Sequence, residues 1–198
     1  MEYIYYLIVF IIIIVVIMFL YDKKQRKITS KAFDTLEHFD LTKSYFGENN
    51  TAIAIDTKNE KIAFCINGAG WGKAADSRKL FVFTFKDILS VETFINGQSV
   101  FNKSVGKQIG GAAIGGVLLG PAGLLLGALL GGSSQNQNDK VKEISLRVGV
   151  NDIDNPNHEV LFFSNSEGYK NDNFFVKQSS QEAQEWTQRI NAIISRNE

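Results

Sequence analysis

The sequence predicts a mainly β fold with added helices: a bent antiparallel sheet, or partly open barrel, capped by a C-terminal helix. Three observations predict it. Seven or so short segments with strand-like patterns fill residues 52–164. An amphipathic helical pattern closes the chain. Two uncharged apolar segments, residues 3–21 and 110–132, predict an N-terminal transmembrane helix and an inserted glycine-rich helical hairpin.

The charge balance and the cysteine content exclude some classes of protein. The chain has 198 residues, with 21 basic and 21 acidic side chains. From Ala32 onward there are 16 basic and 19 acidic residues, so this part lacks the basic excess that nucleic-acid binding needs. Cys65 is the single cysteine. An intrachain disulfide is therefore impossible, and a reducing, cytosolic setting fits the body of the protein.

The first segment is predicted to be an uncleaved membrane anchor, residues 1–21. The run Tyr3–Tyr21 is unbroken, and roughly 20 such residues cross a bilayer as a helix. Tyr3, Tyr6 and Tyr21 lie at its two ends, where amphipathic rings favour the headgroup region. The chain starts Met-Glu, and the run ends without small residues. Both features argue against a cleaved signal peptide.

A basic cluster follows the anchor and predicts its orientation. It consists of Lys23, Lys24, Arg26, Lys27 and Lys31. Because such residues are retained on the cytoplasmic side, the N-terminus should face out of a bacterial cytoplasmic membrane. Residues 22–50 are then a basic collar and connector, in which "KAFDTLEHF" (residues 31–39) predicts a short amphipathic helix.

The strands are predicted in chain order from residue 51. "TAIAID" and "KIAFCI" form a hairpin over residues 52–66, and "KLFVFTF" and "ILSVETFI" follow it. Asn96-Gly97 is the typical two-residue turn of a tight hairpin, with "QSVFN" as the second strand. Beyond the glycine segment come "VKEISLRVGV" and "HEVLFFS", and "NFFVK" (residues 173–177) is a candidate short last strand.

The C-terminal helix is predicted to begin with a capping box over Ser179–Glu182. Its apolar stripe consists of Ala183, Trp186, Ile190 and Ile193, at helical spacing. Trp186 is therefore expected to plug the core.

Two segments carry a family resemblance. "AQEWTQRINAII" (residues 183–194) is similar to the closing helix of the pleckstrin-homology (PH) superfold, and "FKDILSVE" (residues 85–92) resembles a strand entry of bacterial PH-like domains. By element order the resemblance covers residues 51–195, and it implies a PH-like domain over residues 51–198. Such domains bind phosphoinositides, peptides or other proteins, and the superfold alone does not decide among them.

The sequence offers little for phosphoinositide binding or catalysis. Phosphoinositide-binding members usually carry several Lys and Arg in the first hairpin, which here has Lys58 and Lys61 beside two acids. "NGAGWGKAADS" (residues 67–77) has the wrong glycine spacing for a phosphate loop. His38, His158 and Cys65 do not share a metal-ligand spacing. We therefore expect no catalytic residues, no cofactor and no metal, and a protein that is not an enzyme.

The glycine-rich segment resembles the glycine-zipper segments of bacterial membrane proteins. Each glycine costs about 1 kcal/mol in a water-exposed helix, whereas small residues allow close helix packing in lipid. The pattern therefore favours lipid over water. The predicted helix-packing residues are Gly106, Gly110, Gly111, Gly115, Gly116, Gly120, Gly123, Gly127 and Gly131.

Pro121 divides this segment into two arms. Each arm has about a dozen residues and would reach only about 18 Å, short of the ~30 Å hydrocarbon core. Lysines flank both ends of the segment, which suits a hairpin with both ends in the cytoplasm. The segment 104–139 is therefore predicted to be a zipper hairpin and linker that interrupts the PH-like domain. A flexible loop packed outside lipid remains the alternative.

These features together predict a non-enzymatic binding or scaffold module anchored at the cytoplasmic face of a bacterial membrane. The expected partners are membrane lipid, another protein and a second copy of the chain through the zipper, but no nucleic acid. The alternative is a membrane-active glycine-zipper effector, of the kind that acts in envelope stress or phage exclusion.

Overall fold

A computed structural model describes residues 2–66, 79–104 and 140–197. Helix α1 spans Glu2–Asp34 without a break. It joins the apolar run to the basic collar, where a separate helix over residues 31–39 was predicted. The collar continues the helix because it contains neither glycine nor proline and is rich in Lys, Gln and Arg, which have good helix propensity.

The first sheet is an antiparallel meander in the order β1-β2-β3-β4. Its strands are β1 Lys43–Phe46, β2 Ala52–Asp56, β3 Lys61–Ile66 and β4 Lys79–Thr84. The predicted hairpin over residues 52–66 and the next strand are confirmed. Strand β1 was missed, because four residues are too few to establish a strand pattern.

The second sheet has the order β6-β5-β7-β8, with antiparallel neighbours. A 3-10 turn, Phe85–Asp87, leads into it. Its strands are β5 Ile88–Ile95, β6 Gln98–Ser104, β7 Lys140–Val150 and β8 Asn157–Lys170. Asn96 and Gly97 both have positive φ, 51° and 75°, so the predicted tight turn between β5 and β6 is confirmed.

Helix α2 spans Phe174–Arg196, and two sequence predictions about it were wrong. Residues 173–177 are not a strand, and Ser179 does not begin the helix. Asn173 caps it instead, because its side chain accepts a hydrogen bond from the Phe175 backbone N–H at 2.9 Å. The short apolar run was ambiguous between strand and helix by pattern alone.

The main core lies between the two sheets and α2. Trp186 is completely buried in it, as expected from the helical stripe. The sheets meet where the Tyr45 and Phe162 rings stack at 4.3 Å and Glu48 bridges to Leu161. A Cβ at Gly47 would overlap the Leu161 carbonyl oxygen, so this closure requires glycine. The architecture is the mixed β and α, PH-like fold that the sequence predicts.

Candidate functional site

Helix α1 carries the predicted membrane anchor. The run Tyr3–Tyr21 is the one stretch within the described part of the chain that is a helix long and apolar enough to cross a membrane. Its large side chains are exposed, as in Phe19 at 67%. The rest of the fold therefore does not cover this apolar surface. The specific anchoring roles of Tyr3, Tyr6 and Tyr21 stay a prediction.

The basic collar follows the apolar run on the same rigid helix. Lys23, Lys24 and Lys27 are exposed, and Arg26 lies on the same helix. Contact with the domain begins at Thr29, which is 5% exposed. Since Thr29 lies eight positions after Tyr21, and a helix rises 1.5 Å per residue, the domain begins about 12 Å beyond the apolar run.

Helix α1 packs on the outer face of the first sheet through a second core, which we call the docking cluster. Phe33 is fully buried there, and its ring centroid lies 6.4 Å from that of Phe46. The fully buried residues on the sheet side of the cluster are small, so a large aromatic ring can lie close to the strands. The buried members of the cluster are Phe33, Phe39, Ala52, Ala54, Ala63 and Cys65.

A buried carboxylate fixes the connection from α1 to β1. Asp56, fully buried at the end of β2, accepts hydrogen bonds from the backbone N–H groups of Asp40, Lys58 and Asn59 and from the Asn59 amide at 2.7–2.9 Å. Burial raises the pKa of Asp56, but these donors outweigh burial and hold the pKa below its ordinary value. Lys58 also contacts the Asp40 carboxylate at 2.6 Å.

His158 lies in an aromatic cage inside the barrel and is 1% exposed. Its ring stacks on Phe64 at 4.8 Å and lies 4.6 Å and 5.1 Å from the rings of Phe81 and Phe83. Burial lowers the pKa of His158, although the charge of Asp152 and the backbone of Asn155 act in the opposite direction. A neutral, structural histidine follows from this environment.

The glycine-rich segment is inserted between two strands of one sheet. Strands β6 and β7 lie on either side of β5, and both Ser104 and Gly149 pair with Ser90. The chain therefore leaves β6 at the level of Ser90. It rejoins β7 beside Asn96, whose side chain bonds the Lys140 carbonyl and the Lys142 N–H. Ser90 and Asn96 are six residues apart, so the two ends of the segment are separated by about 20 Å along the direction of β5.

The nine predicted helix-packing glycines lie outside the described residues, as does the segment "NGAGWGKAADS" (residues 67–77). Among the residues that are described, no group of three or more His, Cys, Asp or Glu side chains could hold a metal ion. The predicted anchor residues share one helix, whereas Cys65, His38 and His158 have separate surroundings.

The described residues also form an open pocket that the sequence analysis missed. It has a volume of about 290 Å³ and lies between the 3-10 turn, the ends of β1 and β2, and the last turns of α2. A signal for it exists in the sequence. Arg189, Ala192, Ile193 and Arg196 are spaced i, i+3, i+4, i+7, so two arginines flank small and apolar residues on one helix face.

The fold and its insertion define a class: a PH-like domain with a glycine-zipper insertion, on an N-terminal apolar helix. The family whose model matches residues 43–164 is described as "Glycine zipper containing PH domain". The chain belongs to this family. The match starts at the missed strand β1.

Two curated relatives are similar over most of their length. The "Immunity protein" of Bacillus phage SPbeta is 27% identical over 182 residues, covering 82% of this chain and 81% of that protein. The "SPbeta prophage-derived uncharacterized membrane protein YomJ" of Bacillus subtilis (strain 168) is also 27% identical, covering 82% of this chain and 71% of that protein. No solved structure matches the chain. The relatives indicate a membrane-associated, phage-related protein.

Proposed function

We propose that the protein is a non-enzymatic binding module that α1 anchors at the cytoplasmic face of a bacterial membrane, where it engages a protein partner in a phage-immunity role. The continuity of α1 carries this proposal. One helix runs from the exposed apolar residues to Phe33 in the docking cluster. The name of the phage relative, an immunity protein, supports a protein partner. The basic collar supports the cytoplasmic orientation.

The glycine-rich segment belongs to this proposal as a second contact with the membrane. Because β6 and β7 belong to one sheet, the segment between them starts and ends on the same side of the bilayer, which a single span would not allow. The arms of a helical hairpin lie about 8–10 Å apart. The linker "SSQNQND" reaches at most about 23–25 Å, about twice the remaining distance of about 10–12 Å to Lys140.

Cysteine labelling tests the topology. Ser164 is exposed on β8, and Ser134 lies in the linker. Ser164→Cys and Ser134→Cys, each in a Cys65→Ser background, should react with a membrane-impermeant maleimide only after the cells are opened. Reaction of either cysteine in intact cells would overturn the orientation. Glu2→Cys is the matched positive control and should react in intact cells.

Partner binding is tested in the same membranes by crosslinking and mass spectrometry. We expect a protein to be crosslinked to the wild-type chain and to be absent when the domain is removed and residues 1–34 are kept. Equal recovery with the anchor alone would show that the domain is not the binding element.

The second candidate is a membrane-active glycine-zipper effector. The nine regularly spaced glycines favour it, because such grooves allow helices to associate in lipid. It predicts that expression depolarises the membrane and that Gly115→Leu abolishes the depolarisation. Gln188→Leu, at an exposed position of α2, is the control outside the zipper. Unchanged membrane potential with the wild-type chain would refute this candidate.

A further inference from the structure

The pocket of about 290 Å³ combines apolar walls with a basic rim. Its floor is formed by the side chains of Ile55, Phe85 and Ile193, and Ala192 lies at its edge. Ala192 is exposed, whereas the other three are buried. The volume is near the lower end of the range for small-molecule sites, about 300–1,000 Å³. The pocket therefore has room for part of one ligand chain.

The rim holds three cationic side chains. Lys43, Arg189 and Arg196 line the opening. The Arg189 Nη2 atom donates to Glu185 at 2.8 Å, the guanidinium carbon lies 5.5 Å from the centroid of the Trp186 ring, and Nη1 is buried without a hydrogen-bond partner. The Arg189 side chain nevertheless stays 31% exposed, so its accessible part can pair with an anion in the pocket.

Glu185 is an acidic side chain that contacts this rim through Arg189. Its hydrogen bond from Arg189 lowers the pKa of Glu185, and the charge of Lys43 acts in the same direction. Glu185 therefore stays ionised and offsets one of the three positive charges. The charged side chains that line the pocket are all cationic, which complements an anion.

The remaining polar groups of the pocket wall are already engaged. Thr42 and Thr57 face each other with their hydroxyl oxygens 3.1 Å apart, and the Thr57 backbone N–H also donates to Thr42 Oγ1 at 3.0 Å. A peptide would bring backbone N–H and C=O groups that need partners. A ligand with a single charged group and an apolar body fits these walls better.

We propose that this pocket binds an anionic amphiphile, one acyl chain with a carboxylate or phosphate head. The acyl chain of the ligand lies against Ile55, Phe85 and Ile193. The anionic head accepts hydrogen bonds from Arg189, and Lys43 and Arg196 lie beside it. The anchoring helix keeps the domain close to a membrane, the natural source of such molecules. This binding does not depend on the protein partner proposed above.

The test uses the full chain in nanodiscs of neutral phosphatidylcholine. Two photoactivatable probes, a twelve-carbon fatty acid and a lysophosphatidic acid, are crosslinked to the chain, and the labelled residues are mapped by mass spectrometry. A twelve-carbon alkylamine with the same photoactivatable group is the charge control. The run Tyr3–Tyr21 should be labelled by every probe, so it serves as the internal reference.

We expect the anionic probes to label the segments around Thr42 and Ala192, and the amine to leave them unlabelled. Arg189→Gln should reduce this labelling about tenfold relative to the reference. Ala192→Trp should abolish it by filling the pocket. The matched controls, Lys177→Gln and Gln188→Trp on exposed positions of the same helix, should keep it.

The two anionic probes distinguish a free fatty acid from a phosphate-headed lipid as the source. Stronger labelling by the fatty acid indicates a carboxylate head group, and stronger labelling by the lysophosphatidic acid indicates a phosphate head group. Either result supports the proposal. Equal labelling of the pocket by the amine, or unchanged labelling in Ala192→Trp, would overturn it. So would labelling confined to Tyr3–Tyr21 in the wild-type chain. If the partner recovered by crosslinking contacts the pocket through a peptide, the amphiphile proposal is also wrong.

Discussion

Replacing Phe33 by alanine should detach the anchor helix from the sheet without unfolding the barrel. Phe33 is completely buried, yet it belongs to the docking cluster rather than to the main core. The main core has its own large apolar side chains, with Trp186 at its centre. Loss of the Phe33 ring should therefore shift the equilibrium between α1 packed on the sheet and α1 detached from it, before it lowers the stability of the main core.

The size of the effect follows from the burial. Truncation of a buried Phe to Ala typically costs about 3–5 kcal/mol. We expect about 3 kcal/mol here, because the cluster is small and its sheet side is mostly alanine, so that water can enter the space left by the ring. Since each 1.4 kcal/mol is a factor of ten, the undocked population should rise about a hundredfold.

Cys65 provides the assay, because it is the single cysteine and is buried in the same cluster. Its reaction with a thiol reagent under native conditions should report undocking of α1. Phe33→Ala should raise the labelling rate about a hundredfold. Leu20→Ala, which truncates an exposed position of the apolar run, should leave the rate unchanged.

A second variant separates undocking from global unfolding. Ile190→Ala removes a fully buried side chain of the main core and should cost about 2–5 kcal/mol of global stability. If Ile190→Ala exposes Cys65 as much as Phe33→Ala does, the thiol reports unfolding of the barrel. An unchanged labelling rate in Phe33→Ala would likewise refute independent docking.

Two further predictions concern buried ionisable groups. Asp56→Asn should lower the free energy of unfolding by about 3 kcal/mol, because an amide cannot accept all four hydrogen bonds. Since folding lowers the pKa of Asp56, its contribution is complete above the unfolded pKa of about 3.9 and is lost as the pH falls through the folded value. Urea titrations between pH 3 and 7 measure this, and a variant with the wild-type acid dependence would contradict it. Folding also lowers the pKa of His158, so stability should decline as the pH falls below about 6.5. His158→Phe should remove that decline; persistence of the decline would assign it to another group.

The sequence predicted the elements with strong periodicity and missed those that depend on tertiary contacts. Strands β5 and β7 and the Trp186 stripe have local patterns that fix their type. Strand β1 exists because its four residues pair with β2 and its end meets β8, which no local pattern encodes. The start of α2 was displaced for a similar reason. Asn173 and Ser179 both have capping chemistry, and the choice between them depends on where β8 ends.

The pocket was missed because its members come from four places in the chain. The spacing of Arg189 and Arg196 predicts a shared helix face. That this face lies over Thr42, Ile55 and Phe85 follows from the packing of α2 across the end of the first sheet. Sequence periodicity identifies which side chains point the same way, but it does not identify what they point at.

The position of the insertion explains how the domain can carry a long apolar segment. Strand β6 is at the edge of the second sheet, whereas α2 packs against β5, β7 and β8. The ladder between β5 and β7, with Ile95 opposite Ile144, connects the two flanks of the segment without it. The core therefore remains closed whatever the segment contacts. Because the docking cluster lies on the outer face of the other sheet, the two proposed membrane attachments join the domain at different sheets.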